Sequence, residues 1–255
     1  VPLVVMLHGC TQSPDDFAAG TQMNEAAEAA GCFVVYPGQI EAANAQRCWN
    51  WFNAAEQERE RGEPSLIAGI TRAVMAQYRI DPARVYVAGL SAGGALAATM
   101  GHAYPELYAA VGVHSGLASG AASDVASAFA AMRQGHAGRP ADGRAVPTIV
   151  FHGERDSTVH PRNAEAVLAQ ARPAAPLEVR VEHGQVPGGH GYTRTRYADA
   201  GGRIALESWL IQDGGHAWSG GSAGGSFTDP HGPDATAAML RFFLDHPRGA
   251  AERGG

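Results

Sequence analysis

The sequence predicts an α/β fold with a mostly parallel central sheet and helices on both faces. Three observations carry this. Short, near-continuous apolar runs such as Pro2-Leu3-Val4-Val5-Met6-Leu7 alternate with helical segments, as expected for strands buried on both faces and joined by helical crossovers. The 255 residues, 45% of them hydrophobic, suffice for one sizeable core. No repeat period and no long low-complexity linker divides the chain, so one domain over 1–255 is expected.

The elements follow in order. Pro2 to Leu7 is the first strand. Ser13 then reads as a helix N-cap with Pro14 at the first helical position; one helix runs to about Ala30, and Gly31 ends it. Cys32 to Tyr36 is a second buried strand. Pro37 to Pro64 is long and irregular, a length at which loops are often functional; its charged end, Glu56 to Glu63, reads as a solvated face. Ile67, Ile70, Val74 and Met75 mark a helix over Ser65 to Tyr78, which Asp81-Pro82 stops. Val85 to Ala88, Tyr108 to Val113, Thr148 to Phe151 and Leu177 to Val181 read as strands. Helices are expected from about Ala92 to Ala103, Val125 to Met132, Pro161 to Ala171 and Asp234 to Leu244. Tyr192 to Tyr197 and Arg203 to Ile211 read as a β-hairpin.

Composition narrows the function. Only 17% of residues are charged, the net charge is -6, and no Lys/Arg run stands out, which argues against nucleic acid or an anionic membrane as a partner. No apolar stretch is long enough to span a bilayer. The first residues carry no signal-peptide pattern and open directly in a strand, so the chain reads as trimmed, with any targeting segment outside it. Cys10, Cys32 and Cys48 match no zinc spacing; neither a metal nor another cofactor is expected. Taken alone, these cysteines are as well read as three buried thiols.

In a parallel sheet, ligands bind at the carboxyl ends of the strands. Four strand ends carry candidate chemistry: His8-Gly9-Cys10-Thr11, Gly89-Leu90-Ser91-Ala92-Gly93, His152-Gly153-Glu154-Arg155-Asp156, and Gly214-Gly215-His216-Ala217-Trp218. A serine inside G-x-S-x-G, then an acid, then a histidine is the chain order of an α/β-hydrolase. A hydroxyl is a weak nucleophile and needs a base. Histidine titrates near neutrality and suits that task, and a carboxylate fixes its tautomer. Ser91, Asp156 and His216 are therefore the expected nucleophile, acid and base. The N–H groups of Ala92, at a helix start, and of Cys10 are the expected oxyanion donors.

Rivals exist for each position. Ser115 also follows a strand but lacks the glycine fence. Glu154 competes with Asp156, whose D-x-x-V spacing to Val159 fits better. His190 has a similar setting to His216 but precedes the hairpin. His152 reads as a structural wall of the site. His8 is read either as a substrate-binding residue that helps to shape the oxyanion loop or as structural. Trp49, Trp51 and Trp218 are read either as core or as apolar substrate-binding surface.

The segments LHGCTQ, CWNWF, GEPSLIAGI, GLSAGG, HGERDSTV, GYTR, GGHAWSGG and FTDPHGPDATAAMLRFF together resemble the polyhydroxybutyrate depolymerase-type esterases, related to feruloyl and acetylxylan esterases. The resemblance spans nearly the whole chain. It implies a secreted or periplasmic serine esterase without a metal, using Ser91, Asp156 and His216. It further implies a Cys10–Cys48 disulfide, which leaves Cys32 free and buried and fits an oxidising compartment. It also implies upstream antiparallel strands and a polymer-binding module, neither of which is expected within this sequence. The implied substrate is a short-chain polyhydroxyalkanoate. Feruloyl, acetylxylan or general short-chain esters, and other polyesters, are the alternative.

Overall fold

The computed structural model describes residues 1–140 and 145–249. Strands β1 (Leu3–Leu7), β2 (Phe33–Val35), β3 (Val85–Leu90), β4 (Ala110–His114), β5 (Thr148–Gly153), β6 (Glu178–Gln185), β7 (Gly191–Ala198) and β8 (Ile204–Ile211) form one eight-stranded sheet. Its order is β2-β1-β3-β4-β5-β8-β7-β6. β1 to β5 and β8 are parallel, while β7 and β6 extend the sheet antiparallel beyond β8. A short ladder joins β9 (Trp218–Ser219) to β10 (Thr228–Asp229).

Side-chain alternation divides the core. Leu3, Val5, Leu7, Val85 and Val87 point to one face, packed under α3 (Gly62–Gln77), α4 (Ala92–Ala103), α5 (Val125–Gln134) and α6 (Arg162–Gln170). Val4, Met6, Tyr86, Ala88 and Leu90 point to the other, against α1 (Pro14–Thr21), α2 (Met23–Ala30) and α7 (Ala235–Leu244). Burial on both faces explains why these strands read as unbroken apolar runs.

The connections set the site. From β1 the chain passes outward to β2, then returns across β1 to β3 on its other side. The loops after β1 and β3 therefore leave neighbouring strands in opposite directions, opening a crevice at a topological switch point.

Four expectations need correction. The first helix is two, α1 and α2, broken at Gln22, whose φ of 52° is left-handed; nothing in the type of residue signals that break. β2 is the sheet edge, with Phe33 40% exposed, and not a buried strand. α3 begins at Gly62, because Pro64 fits the first turn, where its missing N–H has no helical partner to lose. β6 runs to Gln185, four residues past Val181, because its ladder with β7 continues to the Gln185–Gly191 pair. The hairpin of β7 and β8 is as expected.

Candidate active site

Ser91 is the single residue between β3 and α4, at φ 56° and ψ −118°. Few L-residues adopt this backbone, and it lifts the hydroxyl clear of the turn. The glycine fence has a packing reason. A Cβ on Gly93 would lie 2.0 Å from the Leu7 carbonyl oxygen, and one on Gly89 would lie 2.3 Å from the Gly93 oxygen. Only glycine lets the start of α4 press against the end of β1.

The other two loops meet this hydroxyl. His216 Nε2 lies 2.8 Å from Ser91 Oγ, and His216 Nδ1 lies 2.7 Å from Asp156 Oδ2. The carboxylate can only accept from Nδ1, so Nε2 is free to accept from the serine. Asp156 is buried, and its Oδ1 accepts the N–H groups of Thr158 and Val159 at 2.9 and 2.8 Å. Burial alone would raise its pKa. Hydrogen bonds from His152, His216 and the Val159 N–H outweigh that and hold it well below the usual carboxylate range. His152 is the buried wall expected of it: Nε2 donates to the Val159 carbonyl at 2.7 Å and sits 3.4 Å from Asp156.

The loop after β1 supplies backbone donors. Gly9 N–H donates to the Gln12 side chain at 2.8 Å, Thr11 N–H to the Gln46 carbonyl at 2.6 Å, and Gln12 N–H to the Gly9 carbonyl at 3.4 Å. The Cys10 N–H takes no partner among the described residues. Cys10, Ser91 and Ala92 together border a cavity of about 270 Å³. Its walls are mainly apolar, formed by Trp51, Phe52, Leu117, Val125, Phe129, Met132 and Val159. The disulfide Cys10–Cys48 forms part of the wall and ties the loop after β1 to the long aromatic loop. Cys32 is the free cysteine, half-buried and not fully so.

Of the four expected substrate contacts, only Trp51 lines this cavity. Trp49 is not in its lining; it is 96% buried, with Nε1 donating to the His8 carbonyl. His8 is fully buried and hydrogen-bonded to backbone. Trp218 packs in the core on the far face, edge-on to Phe17 and stacked on His114, with Nε1 on Thr236. Among the rivals, Ser115 is fully buried beside His114, Glu154 is exposed, and His190 pairs with Asp229.

Sequence reasoning missed the polar scaffold behind the loop. Gln12 is buried and donates to Asp16 and Ser226. Glu63 is not on a solvated face. It is buried, accepting from Gln39 and from the backbone and side chain of Asn50. A buried acid in a charged run carries no local signal; only the partners brought from elsewhere reveal it.

Comparison with known proteins agrees with this geometry. Residues 1–174 match the family described as esterase PHB depolymerase. Poly(3-hydroxyalkanoate) depolymerase C of Paucimonas lemoignei is 30% identical over 228 residues, covering 84% of this chain and 54% of that protein. Feruloyl esterase B of Thermothelomyces thermophilus is 28% identical over 236 residues, covering 84% and 78%. The chain thus spans about half the length of the depolymerase relative. In structure, an acetyl xylan esterase from Aspergillus awamori superposes with a TM-score of 0.73 at 20% identity, covering 96% of this chain and 89% of that one. With a serine, a histidine and an aspartate in line above a parallel sheet, the chain has the α/β-hydrolase fold and belongs to the esterase PHB depolymerase family of ester hydrolases.

Proposed function

We propose that the protein is a secreted or periplasmic serine esterase that cleaves short-chain polyhydroxyalkanoate through an acyl-enzyme. The observation that carries this is the unbroken relay from Asp156 through His216 to Ser91 at the mouth of an apolar cavity. The ester carbonyl enters beside Ser91. Ser91 Oγ attacks it as His216 Nε2 takes the hydroxyl proton. The oxyanion is received by the N–H groups of Cys10 and Ala92. His216 then gives its proton to the departing alcohol oxygen, leaving the acyl group on Ser91. Water, deprotonated by His216, attacks the acyl carbonyl and releases the acid. The disulfide supports an oxidising compartment.

The choice of polyester follows the depolymerase relatives. Feruloyl or acetylxylan-type esters are the second reading, favoured by the aromatic side chains of Trp51, Phe52 and Phe129 at the cavity. The test is release of soluble hydroxyacid from amorphous polyhydroxybutyrate, with Ser91→Ala as blank. Release by the parent and none by Ser91→Ala is expected. Activity retained in Ser91→Ala would sink the assignment. No polymer hydrolysis, with p-nitrophenyl butyrate still cleaved, would move the substrate to small or polysaccharide-linked esters.

A further inference from the structure

Two consecutive peptide groups after β1 are held at every polar atom except one. In the His8–Gly9 peptide, the carbonyl accepts from Trp49 Nε1 at 3.0 Å and the N–H donates to Gln12 Oε1 at 2.8 Å. In the Gly9–Cys10 peptide, the carbonyl lies 2.7 Å from His8 Nδ1 and accepts a longer bond from the Gln12 N–H at 3.4 Å. The remaining atom is the Cys10 N–H, the donor assigned above to the oxyanion. A peptide group is planar and trans, so holding its carbonyl also fixes the direction of its N–H.

The partners also define the imidazole. The Gly9 carbonyl can only accept, so Nδ1 carries the proton. The Gln39 N–H, 3.0 Å from Nε2, can only donate, so Nε2 is bare. Gln39 is itself held by buried Glu63. Burial lowers the pKa of His8, which keeps this neutral form.

We infer that His8 is a positioning residue: its Nδ1–H fixes the Gly9–Cys10 peptide plane and so aims the Cys10 N–H at the developing oxyanion. The inference rests on the Ser91 reading. It reassigns His8 from substrate contact to support of transition-state binding, an effect that appears in kcat and not in KM.

Two variants of similar size separate the ring nitrogens. In His8→Asn the amide nitrogen takes the place of Nδ1 and still donates to Gly9. In His8→Gln the amide oxygen takes the place of Nε2 and the short side-chain donor to Gly9 is lost, leaving only the 3.4 Å bond from the Gln12 N–H. With p-nitrophenyl butyrate, His8→Asn is expected to keep kcat within about fivefold of the parent. His8→Gln should lose roughly ten- to a hundredfold in kcat, with KM within about threefold. Butylboronic acid, which forms a tetrahedral adduct on a serine, should weaken in step with kcat. Equal kcat in the two folded variants, or a fall in kcat with unchanged boronic-acid affinity, would overturn the inference. A measurement on the parent needs no variant: long-range proton–nitrogen NMR at neutral pH should show His8 protonated at Nδ1 only, and protonation at Nε2 would overturn the inference as well. Failure of the Ser91 reading shows itself separately, as ester hydrolysis surviving Ser91→Ala.

Discussion

Gly93 has no room for a methyl group. The atoms in the way are the Leu7 and His8 carbonyl oxygens, backbone that cannot rotate aside. Gly93→Ala is therefore expected to cost about 3 kcal/mol, read as a lowered urea midpoint; an unchanged midpoint would mean that β1 and α4 can separate freely. Asp156 matters for a different reason. Its carboxylate keeps the proton of His216 on Nδ1. In Asp156→Asn the amide can donate to Nδ1 and favour the opposite tautomer, with the proton facing Ser91. A fall in kcat of about 10⁴-fold is expected with the fold retained, and near-parent turnover would remove Asp156 from the relay. Both residues stand in motifs visible in the sequence. What the sequence hides at this scale is which groups His8 holds, and the roles of Gln12 and Glu63, because their hydrogen-bond partners lie on other segments or are backbone atoms.

At the scale of elements, the loop after β1, which carries the proposed oxyanion donor Cys10, depends on the long loop between β2 and α3. That loop contributes the Gln46 carbonyl to Thr11, Trp49 Nε1 to the His8 carbonyl, and Cys48 to the disulfide. It is anchored in turn by Asn44, which accepts from the Gln46 and Cys48 N–H groups, and by Glu63. With the cysteines 38 positions apart, Cys48→Ser should remove up to about 4 kcal/mol of stability. It should also lower kcat by about tenfold or more, since small displacements of a donor are costly. Parallel measurements of melting temperature and kcat test this; full activity in Cys48→Ser would show that the hydrogen bonds alone hold the loop. The length and aromatic content of this loop were legible, and so was its likeness to a functional loop. Which tryptophan lines the cavity was not, because Trp49 and Trp51 differ only in which side of the loop they occupy.

At the scale of the whole molecule, buried titratable groups link stability to pH. His8, His114 and His246 are held below the usual imidazole range, chiefly by burial. As pH falls through about 6.5 the unfolded chain takes up protons that the folded chain refuses, so stability drops. Asp156 acts lower on the scale. Its contribution is present above about pH 4 and is lost as pH falls through its depressed folded value. Glu63, raised by burial, acts in the opposite sense and offsets part of this. Urea midpoints should therefore fall from about pH 7.5 to pH 5, and fall again below about pH 4. A flat profile between the first two would mean that the three histidines are protonated in the folded state.

The sequence by itself determined the fold class and the order of strands and helices, and it singled out the serine, aspartate and histidine that the fold brings into one hydrogen-bonded row. These follow from local rules: hydrophobic periodicity, turn chemistry, and the need to present reactive side chains at strand ends. Tertiary structure decided the rest. It broke the first helix at Gln22, set β2 at the sheet edge, sent Trp218 into the core, and turned Glu63 inward. It also converted His8 from a candidate contact into a brace for one amide. Each of these depends on what a distant segment places beside the residue, a hydrogen-bond partner or a packing surface, and no local pattern encodes that neighbour.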